Sequence, residues 1–390
     1  MNINLENLFK AAQKTERLGV GLMSGTSLDG LDIALCRFKG KGLNTGFELL
    51  EFKTVDYNDE LKHDIRQIFS RKMVDLEKLC ILNDHIGNLH GRLVNDTLKG
   101  WAIDKNTVDY IASHGQTVYH APRSLHGQLQ YPNATLQIGD GDHIAMRTGI
   151  LTISDFRQKH LAAGGEGAPL ALYGDYILAS KQGEDRVLLN IGGISNFTYL
   201  PCDGRKVMCS DIGPGNTLID AACKKYFDKD YDKNSAIAFT GNVDHSLLNA
   251  LLGHPFFEEG LPKTTGPELF NLEYVEKAQE RSETNNIAPK DLVATLSSFT
   301  ATIIANTVSK YGKDTRLFIS GGGARNPFII QQIEKLLPGT VILKTDELGI
   351  PTDAKEAILF ALLGNEALCG NPLHIGENPA TLMGKFSFPV

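Results

Sequence analysis

Apolar residues along this chain fall into short runs that end in glycines and small polar residues, and three of these runs share one form. Residues 18–23 and 31–38 read as buried strands flanking a loop that contains Gly25, Thr26, Ser27, Asp29 and Gly30. Residues 187–200 repeat the pattern as strand, Gly192-Gly193, strand. Residues 317–337 give a strand, then Gly321, Gly322 and Gly323, then an amphipathic helix. Glycine lets a backbone approach a ligand closely, and clustered N–H groups form an anion nest. One such loop reads equally well as a tight hairpin turn. Three of them predict backbone loops converging on one polyanion. They are not of the GxxxxGK[ST] type, which the sequence lacks.

The order of the runs predicts the architecture. Strands predominate to about residue 50, and helical periodicity fills 61–99, with Leu76, Leu79, Cys80, Ile86 and Leu89 on the repeat. A strand at 110–113, Gly- and Pro-rich loops to 137, a helix at 141–148 and a strand at 150–154 close the first half. The pattern restarts near Arg186 with paired strands, a helix at 217–227, polar loops to 270 and helices from 272 onward. A last helix, 354–369, stops at Gly370-Asn371-Pro372. Two β-rich starts, each followed by helices, predict an α/β fold made of a duplicated unit, with a cleft between the halves and a hinge near Asp155. A length of 390 residues also calls for two domains, since one core stops growing at about 250–300 residues. The expected boundaries are 1–154 with about 366–390 returning to it, and 155–365.

Composition narrows the partners. Apolar residues make up 42% and charged ones 22%, ordinary for a soluble protein. A net charge of −7, with no local basic cluster, argues against a nucleic-acid surface. A bound polyanion would then be held by backbone dipoles and a metal. The six cysteines form no CxxC pair, as expected of reduced cytosolic thiols. No signal peptide is read at the start of the sequence. The longest uncharged run, 292–309, carries enough Thr, Ser and Asn to predict a buried helix rather than a membrane span.

Four segments carry candidate chemistry. SHGQT places His114 and Gln116 at the end of an apolar strand; the alternative is a histidine satisfied by turn backbone. Asp155 and Arg157 emerge from a strand into AAGGEGAP, too glycine-rich for a regular helix and too apolar for a linker. Asp211 stands before the Gly213-Pro214-Gly215 turn, as a turn-former or as a general base. Asp353 and Glu356 have capping-box spacing at the start of the last helix, an alternative to any catalytic role for Glu356.

Eight motifs in order then carry a resemblance. They are GLMSGTSLDGLD (21–32), SHGQT (113–117), LQIGD (136–140), SDFR with AAGG-x-GAPL (154–170), NIGG (190–193), D-x-GPGN (211–216), PK-[ST]-TG (262–266) and GGG-x-x-N (321–326). From about Gly19 to its end the chain resembles the anhydro-N-acetylmuramic acid kinases. The resemblance implies the two-domain actin-like, ribonuclease H-like fold of sugar kinases and heat-shock ATPases, with ATP and Mg²⁺ as cofactors. It implies a cytoplasmic homodimer that acts in cell-wall sugar recycling, without nucleic-acid or membrane partners. Carried over by motif, Asp211 is the catalytic base and Glu356 a second acid. The ATP contacts would be Ser24, Gly25, Thr26, Ser27, Leu28, Asp29, Gly30, Leu31, Asp32, Gly192, Gly193, Gly321, Gly322, Gly323 and Asn326. The sugar contacts would be His114, Gln116, Asp155, Arg157, Gly213 and Gly215. The wider superfamily favours an aspartate where Ser24 stands, so its magnesium coordination does not carry over to this chain, and Asp29 is only a candidate metal ligand. The family commonly has an acidic residue at His160 and glutamine at Glu166, departures that bear on the sugar and not on the reaction type. Two other readings are a kinase for another anhydro sugar such as levoglucosan, whose enzymes lack LQIGD, and a silent actin-like scaffold.

Overall fold

A computed structural model describes residues 2–25, 28–203, 205–376 and 378–390. The chain forms two compact units, Met1–Leu178 with Gly349–Val390, and Ala179–Leu348.

In the first unit β1 (Glu16–Ser24), β2 (Gly30–Lys39) and β3 (Gly46–Asp56) are antiparallel neighbours. On the other side of β1 lie β4 (Tyr110–Ala121), parallel to it, and β6 (Thr152–Ser154), parallel to β4. An antiparallel strand β5 (Ala134–Ile138) pairs with the far end of β4, and Lys385–Ser387 covers the β6 edge. β1 is central and almost wholly buried, which is why its sequence is a continuous apolar run rather than an alternation. Two glycines set what packs on it. A Cβ on Gly21 would lie 1.9 Å from the Ala357 carbonyl of the helix Lys355–Cys369, and one on Gly19 would strike the Tyr110 ring. The other face buries Val20, Leu22, Leu31 and Ile33 with Ile86, Val94 and Leu98 of the helix Leu76–Gly100.

In the second unit β7 (Arg186–Ile191), β8 (Ile194–Leu200) and β9 (Met208–Pro214) are antiparallel. β10 (Arg316–Ser320) is parallel to β7, and β11 (Ile342–Lys344) to β10. The spatial order third–second–first–fourth–fifth, with the same strand directions, is that of the first unit once β5 and the edge strand are set aside. The expected duplication is thus present in the topology. The helix Pro289–Tyr311 is long and apolar enough to cross a membrane, yet 78% of its most apolar window is buried in the unit core.

The boundaries differ from those expected. The break falls after Leu178, not at Asp155, because Phe156 and His160 are buried in the first unit and Gly384 closes onto the Phe156 ring. The second crossing comes at Gly349, so the whole last helix, not only its end, belongs to the first unit.

Candidate active site

In the first unit the loop after β1 rests on a buried chain of polar groups. Ser24 Oγ donates to Gln116 Oε1 at 2.5 Å, and Tyr57 Oη meets Ser24 Oγ at 2.9 Å and His90 Nε2 at 2.7 Å. Gln116 Nε2 donates to the Gly25 carbonyl at 3.2 Å. Ser24 and Gln116 are fully buried. Their side chains position the loop. Leu28 and Leu31 likewise turn their side chains into the core. Thr26 and Ser27, expected ATP contacts, lie outside the described residues. Asp29 is exposed, and its carbonyl accepts from Tyr57 N–H at 2.9 Å. Asp32 accepts from Thr54 Oγ1 at 2.5 Å; burial raises its carboxyl, Thr54 opposing and the charges of Asp29 and Asp353 adding.

His114 is also buried. Its Nδ1 donates to the Gly115 carbonyl and its Nε2 accepts from Arg157 Nε, both at 2.9 Å. Burial first, then the Arg157 charge, push it down to about 3, so the ring is neutral and an acceptor toward arginine. His114 thereby supports Arg157. Arg157 Nη1 donates to the Gly167 carbonyl at 2.7 Å. Burial lowers its guanidinium and the charge of Glu356 opposes that. Asp155 is ion-paired with Lys385 at 2.8 Å.

Glu356 does not cap its helix. The N-cap is Ala354, without a side-chain hydrogen bond, and Asp353 lies in the preceding 3₁₀ turn. Capping therefore leaves Glu356 unexplained. It reaches solvent, yet the protein around it raises its carboxyl, Arg157 opposing and Asp32 adding. Adjacent Lys355 is paired with Asp175 at 2.8 Å.

The two family departures find physical explanations. His160 is fully buried, and its Nδ1 accepts from Gly167 N–H at 2.9 Å. A Cβ on Gly165 would collide with its ring at 2.2 Å. His160 shapes the glycine-rich loop from behind, while Glu166 is exposed on its outer side. LQIGD is structural as well: Gly139 N–H donates to Asn83, and Asp140 caps the helix Gly141–Thr148.

In the second unit the two glycine loops meet the D-x-GPGN turn. The Gly192 carbonyl accepts from Asn216 N–H at 2.8 Å, and the Gly193 carbonyl from Gly215 N–H at 2.7 Å and Thr217 N–H at 3.2 Å. A Cβ on Gly215 would lie 2.3 Å from the Gly192 carbonyl, and one on Gly321 2.6 Å from that of Ile191. Glycine is required at both by close approach. Gly193 and Gly322 are exposed, whereas Gly213, Gly215 and Gly323 are buried. Asn216 spends its amide on the Ile191 and Gly192 carbonyls, so no side chain caps the helix Thr217–Phe227. An uncapped helix N-terminus among glycine turns favours an anion. Asn326 instead caps the helix Pro327–Leu336 and accepts from Ser235 Oγ at 2.6 Å, a structural use of an expected ATP contact.

Asp211 lies on β9, one residue before the buried Ile212-Gly213-Pro214-Gly215 stretch. Its Oδ2 accepts from Thr265 N–H at 2.9 Å. Burial raises its carboxyl above the ordinary value, the Thr265 bond opposing and the Glu268 charge adding. Sequence reading missed the partners of this group, because PK-[ST]-TG lies some 50 residues away and its contacts are backbone ones. It also missed Asp220, on the first turn after GPGN, whose carboxyl burial pushes up to about 6.

Among the described residues no group of three or more His, Cys, Asp and Glu is arranged to hold a metal ion. The charges of Asp29 and Asp353 act on Asp32, and that of Asp32 acts on Glu356. That set suits magnesium carried in by a nucleotide, which needs one or two protein carboxylates besides phosphates and water.

Comparison with known proteins is consistent along the whole chain. The family model for anhydro-N-acetylmuramic acid kinase matches residues 17–382. The chain is 51% identical over 400 residues to the anhydro-N-acetylmuramic acid kinase of Pseudoalteromonas atlantica, covering 100% of both. It is 39% identical to that of Caldanaerobacter subterraneus, covering 98% of this chain and 100% of the relative. Solved structures align more loosely. The (R)-2-hydroxyglutaryl-CoA dehydratase component A of Acidaminococcus fermentans has 11% identity and a TM-score of 0.41, over 90% of this chain and 99% of that one. A ROK family glucokinase from Streptomyces griseus, in complex with glucose and AMPPNP, has 12% and 0.35, over 88% and 97%.

Proposed function

The chain belongs to the anhydro-N-acetylmuramic acid kinase family and is a kinase, and from that premise we propose that it opens an anhydro sugar with water while phosphorylating it. In 1,6-anhydro-N-acetylmuramic acid O6 is locked in an ether to C1 and has no proton to lose. Water therefore bonds to C1 as the C1–O6 bond breaks, its proton passes to a carboxylate, and O6 takes the γ-phosphoryl group of ATP. The products are N-acetylmuramic acid 6-phosphate and ADP, a step of cell-wall sugar recycling.

Asp211 is the base in this reading. The observation that carries it is a carboxylate raised by burial, gripped at one oxygen by Thr265 N–H, at the entrance to the turn that meets both glycine loops. A base with a raised proton affinity takes up the water proton more readily near neutral pH. The glycine loops and the helix N-terminus at Thr217 would receive phosphates. Arg157, held by neutral His114, and Glu356 would engage the sugar and the transferring group, together with Asp155 just before Arg157 and with Gly213 and Gly215 just after Asp211. Asp29, with Gly25, Gly30 and Asp32 around it, would hold magnesium, which supplies charge neutralisation on the phosphates when bound.

A cytoplasmic homodimer completes the reading. The family resemblance supports it, and the six free thiols suit a reducing compartment.

Asp211→Asn tests the assignment, since an amide cannot accept the proton. ADP release with the anhydro-muramic sugar should fall by about 10²–10⁴-fold, with ATP binding by calorimetry retained. Wild-type turnover by the folded variant sinks the assignment. Faster turnover of levoglucosan than of the muramic sugar by the wild type would overturn the substrate.

A further inference from the structure

The segment that holds Asp211 is more elaborate than a turn requires. Residue 211 is bound twice by one short loop: its N–H donates to the Lys263 carbonyl at 3.0 Å, and its Oδ2 accepts from Thr265 N–H at 2.9 Å. Ser210 Oγ adds a third tie, accepting from Lys263 N–H at 2.9 Å. The lysine does not point at a ligand. Its Nζ donates to the Phe256 carbonyl at 2.5 Å and sits 4.1 Å from the centre of the Phe256 ring. Phe256 packs in turn on Phe257 and Phe270, both ring pairs at 5.3 Å. Farther along, the Glu268 carboxylate folds back over the loop, so that a Cβ on Gly266 would lie 2.2 Å from its Oε2. Thr265 Oγ1 is buried without a hydrogen-bond partner, a cost that a loop selected only for its own stability would avoid.

We propose that residues 263–268 are a positioning element for the Asp211 carboxylate: Thr265 N–H fixes its direction, Lys263 anchors the loop, and Glu268 places a second negative charge beside it. This rests on the reading of Asp211 as the base. A fixed direction matters because proton transfer needs hydrogen-bond geometry before it needs proton affinity. A like charge nearby makes the carboxylate a better proton acceptor at neutral pH. Glu268 is the charge that acts on Asp211 within its unit, in the same direction as burial. The β8 residue opposite Asp211, Asn196, is uncharged. The Lys263 ammonium is turned to Phe256, with Glu259 and Lys310 acting on it rather than on Asp211.

The test is the pH profile of kcat/KM for the full-length enzyme, read by ADP release with ATP and the anhydro-muramic sugar. Glu268 is exposed, so Glu268→Gln leaves packing intact. Its acid limb should move down by roughly half a pH unit, the size that an exposed charge pair supports. About 1 M salt should move the wild-type limb the same way and leave the variant's limb in place. A merely structural role would lower the plateau and leave the limb where it is. Lys263→Met should lower kcat by roughly tenfold with the KM for ATP kept, and Lys263→Arg should restore part of it. If Asp211→Asn is inactive and the Glu268→Gln limb coincides with wild type, the positioning proposal is overturned and the base stands. Full turnover by Asp211→Asn would remove the base reading itself.

Discussion

At the scale of single residues, the chain from His90 through Tyr57 and Ser24 to Gln116 shows what sequence could and could not convey. Ser24 donates to Gln116, so its oxygen is left to accept from Tyr57; Tyr57 has then spent its proton, and His90 Nε2 must be the donor. His90 Nδ1 remains buried without a partner, which fixes the neutral tautomer. Burial pushes this histidine down to about 3. The polar residue types around the first loop were legible as chemistry, but their side was not. Ser24 continues the parity of Val20 and Leu22, whose side chains line the core, and strand alternation therefore carried a signal that it points inward. Tyr57→Phe should strand Ser24 and His90, costing about 1–3 kcal/mol in urea unfolding. It should raise the KM for ATP more than it lowers kcat, because the loop at Gly25 loosens; an unaltered KM would detach the relay from the loop. The histidines also set a pH dependence. His90 and His114 have lowered folded values near 3, so their contribution is full above the unfolded value of about 6.5 and is lost as pH falls toward 3. Each should remove about 2 kcal/mol between pH 6.5 and 5. His90→Gln, an uncharged donor toward Tyr57, should flatten that slope in paired urea titrations; an unchanged slope would mean that His90 protonates freely.

At the scale of elements, strongly patterned segments were legible and weakly patterned ones were not. The helices Gly141–Thr148 and Thr217–Phe227 fall where periodicity and their bounding residues place them. The strand β3 was hard to read because its residues alternate between exposed and half-buried positions and carry Glu48, Glu51 and Lys53. Such charges suit an edge strand and blur its apolar signal. The glycine loops were legible as turns, whereas their meeting with GPGN depends on pairings across the sheet that no local window contains. The helix Thr217–Phe227 offers a test of competing forces. Asp220 sits in its first turn, where the helix dipole favours an ionised carboxylate by about 0.3–1 kcal/mol. Burial wins, since the carboxyl is pushed up to about 6. A raised folded value means that the group's favourable contribution is complete below its unfolded value of about 3.9 and is lost as pH rises through about 6. At pH 7 the charged form therefore opposes folding. Asp220→Asn should be more stable than wild type at pH 7.5 by up to about 2 kcal/mol and show no gain at pH 4. A loss of stability at pH 7.5 would instead assign the carboxylate a partner that the helix needs.

For the whole molecule, the duplicated strand order was legible in broad form because each half begins with the same strand–glycine–strand pattern. The boundaries were not, because Asp155 looks like the end of a strand while the burial of Phe156 and His160 is a tertiary fact. Candidate groups for the reaction belong to both units: Arg157 and Glu356 to the first, Asp211 and the Gly192 and Gly321 loops to the second. What distinguishes this chemistry from that of an ordinary sugar kinase is the water, and its fate can be followed through the entire reaction. In ¹⁸O-labelled water, hydrolytic opening places label at C1, while the oxygen bridging C6 and phosphorus comes from the original ether and stays unlabelled. The transferred phosphoryl group should carry none. Mass spectrometry must sample early, before the reducing-end oxygen exchanges with solvent, and the Asp211→Asn variant should yield neither labelled sugar nor ADP. Label in the phosphoryl oxygens would mean that water attacked phosphorus and that the sugar was a bystander. An early product with retained rather than inverted configuration at C1 would mean that a protein group, with Glu356 the first suspect, opens the ring before water arrives.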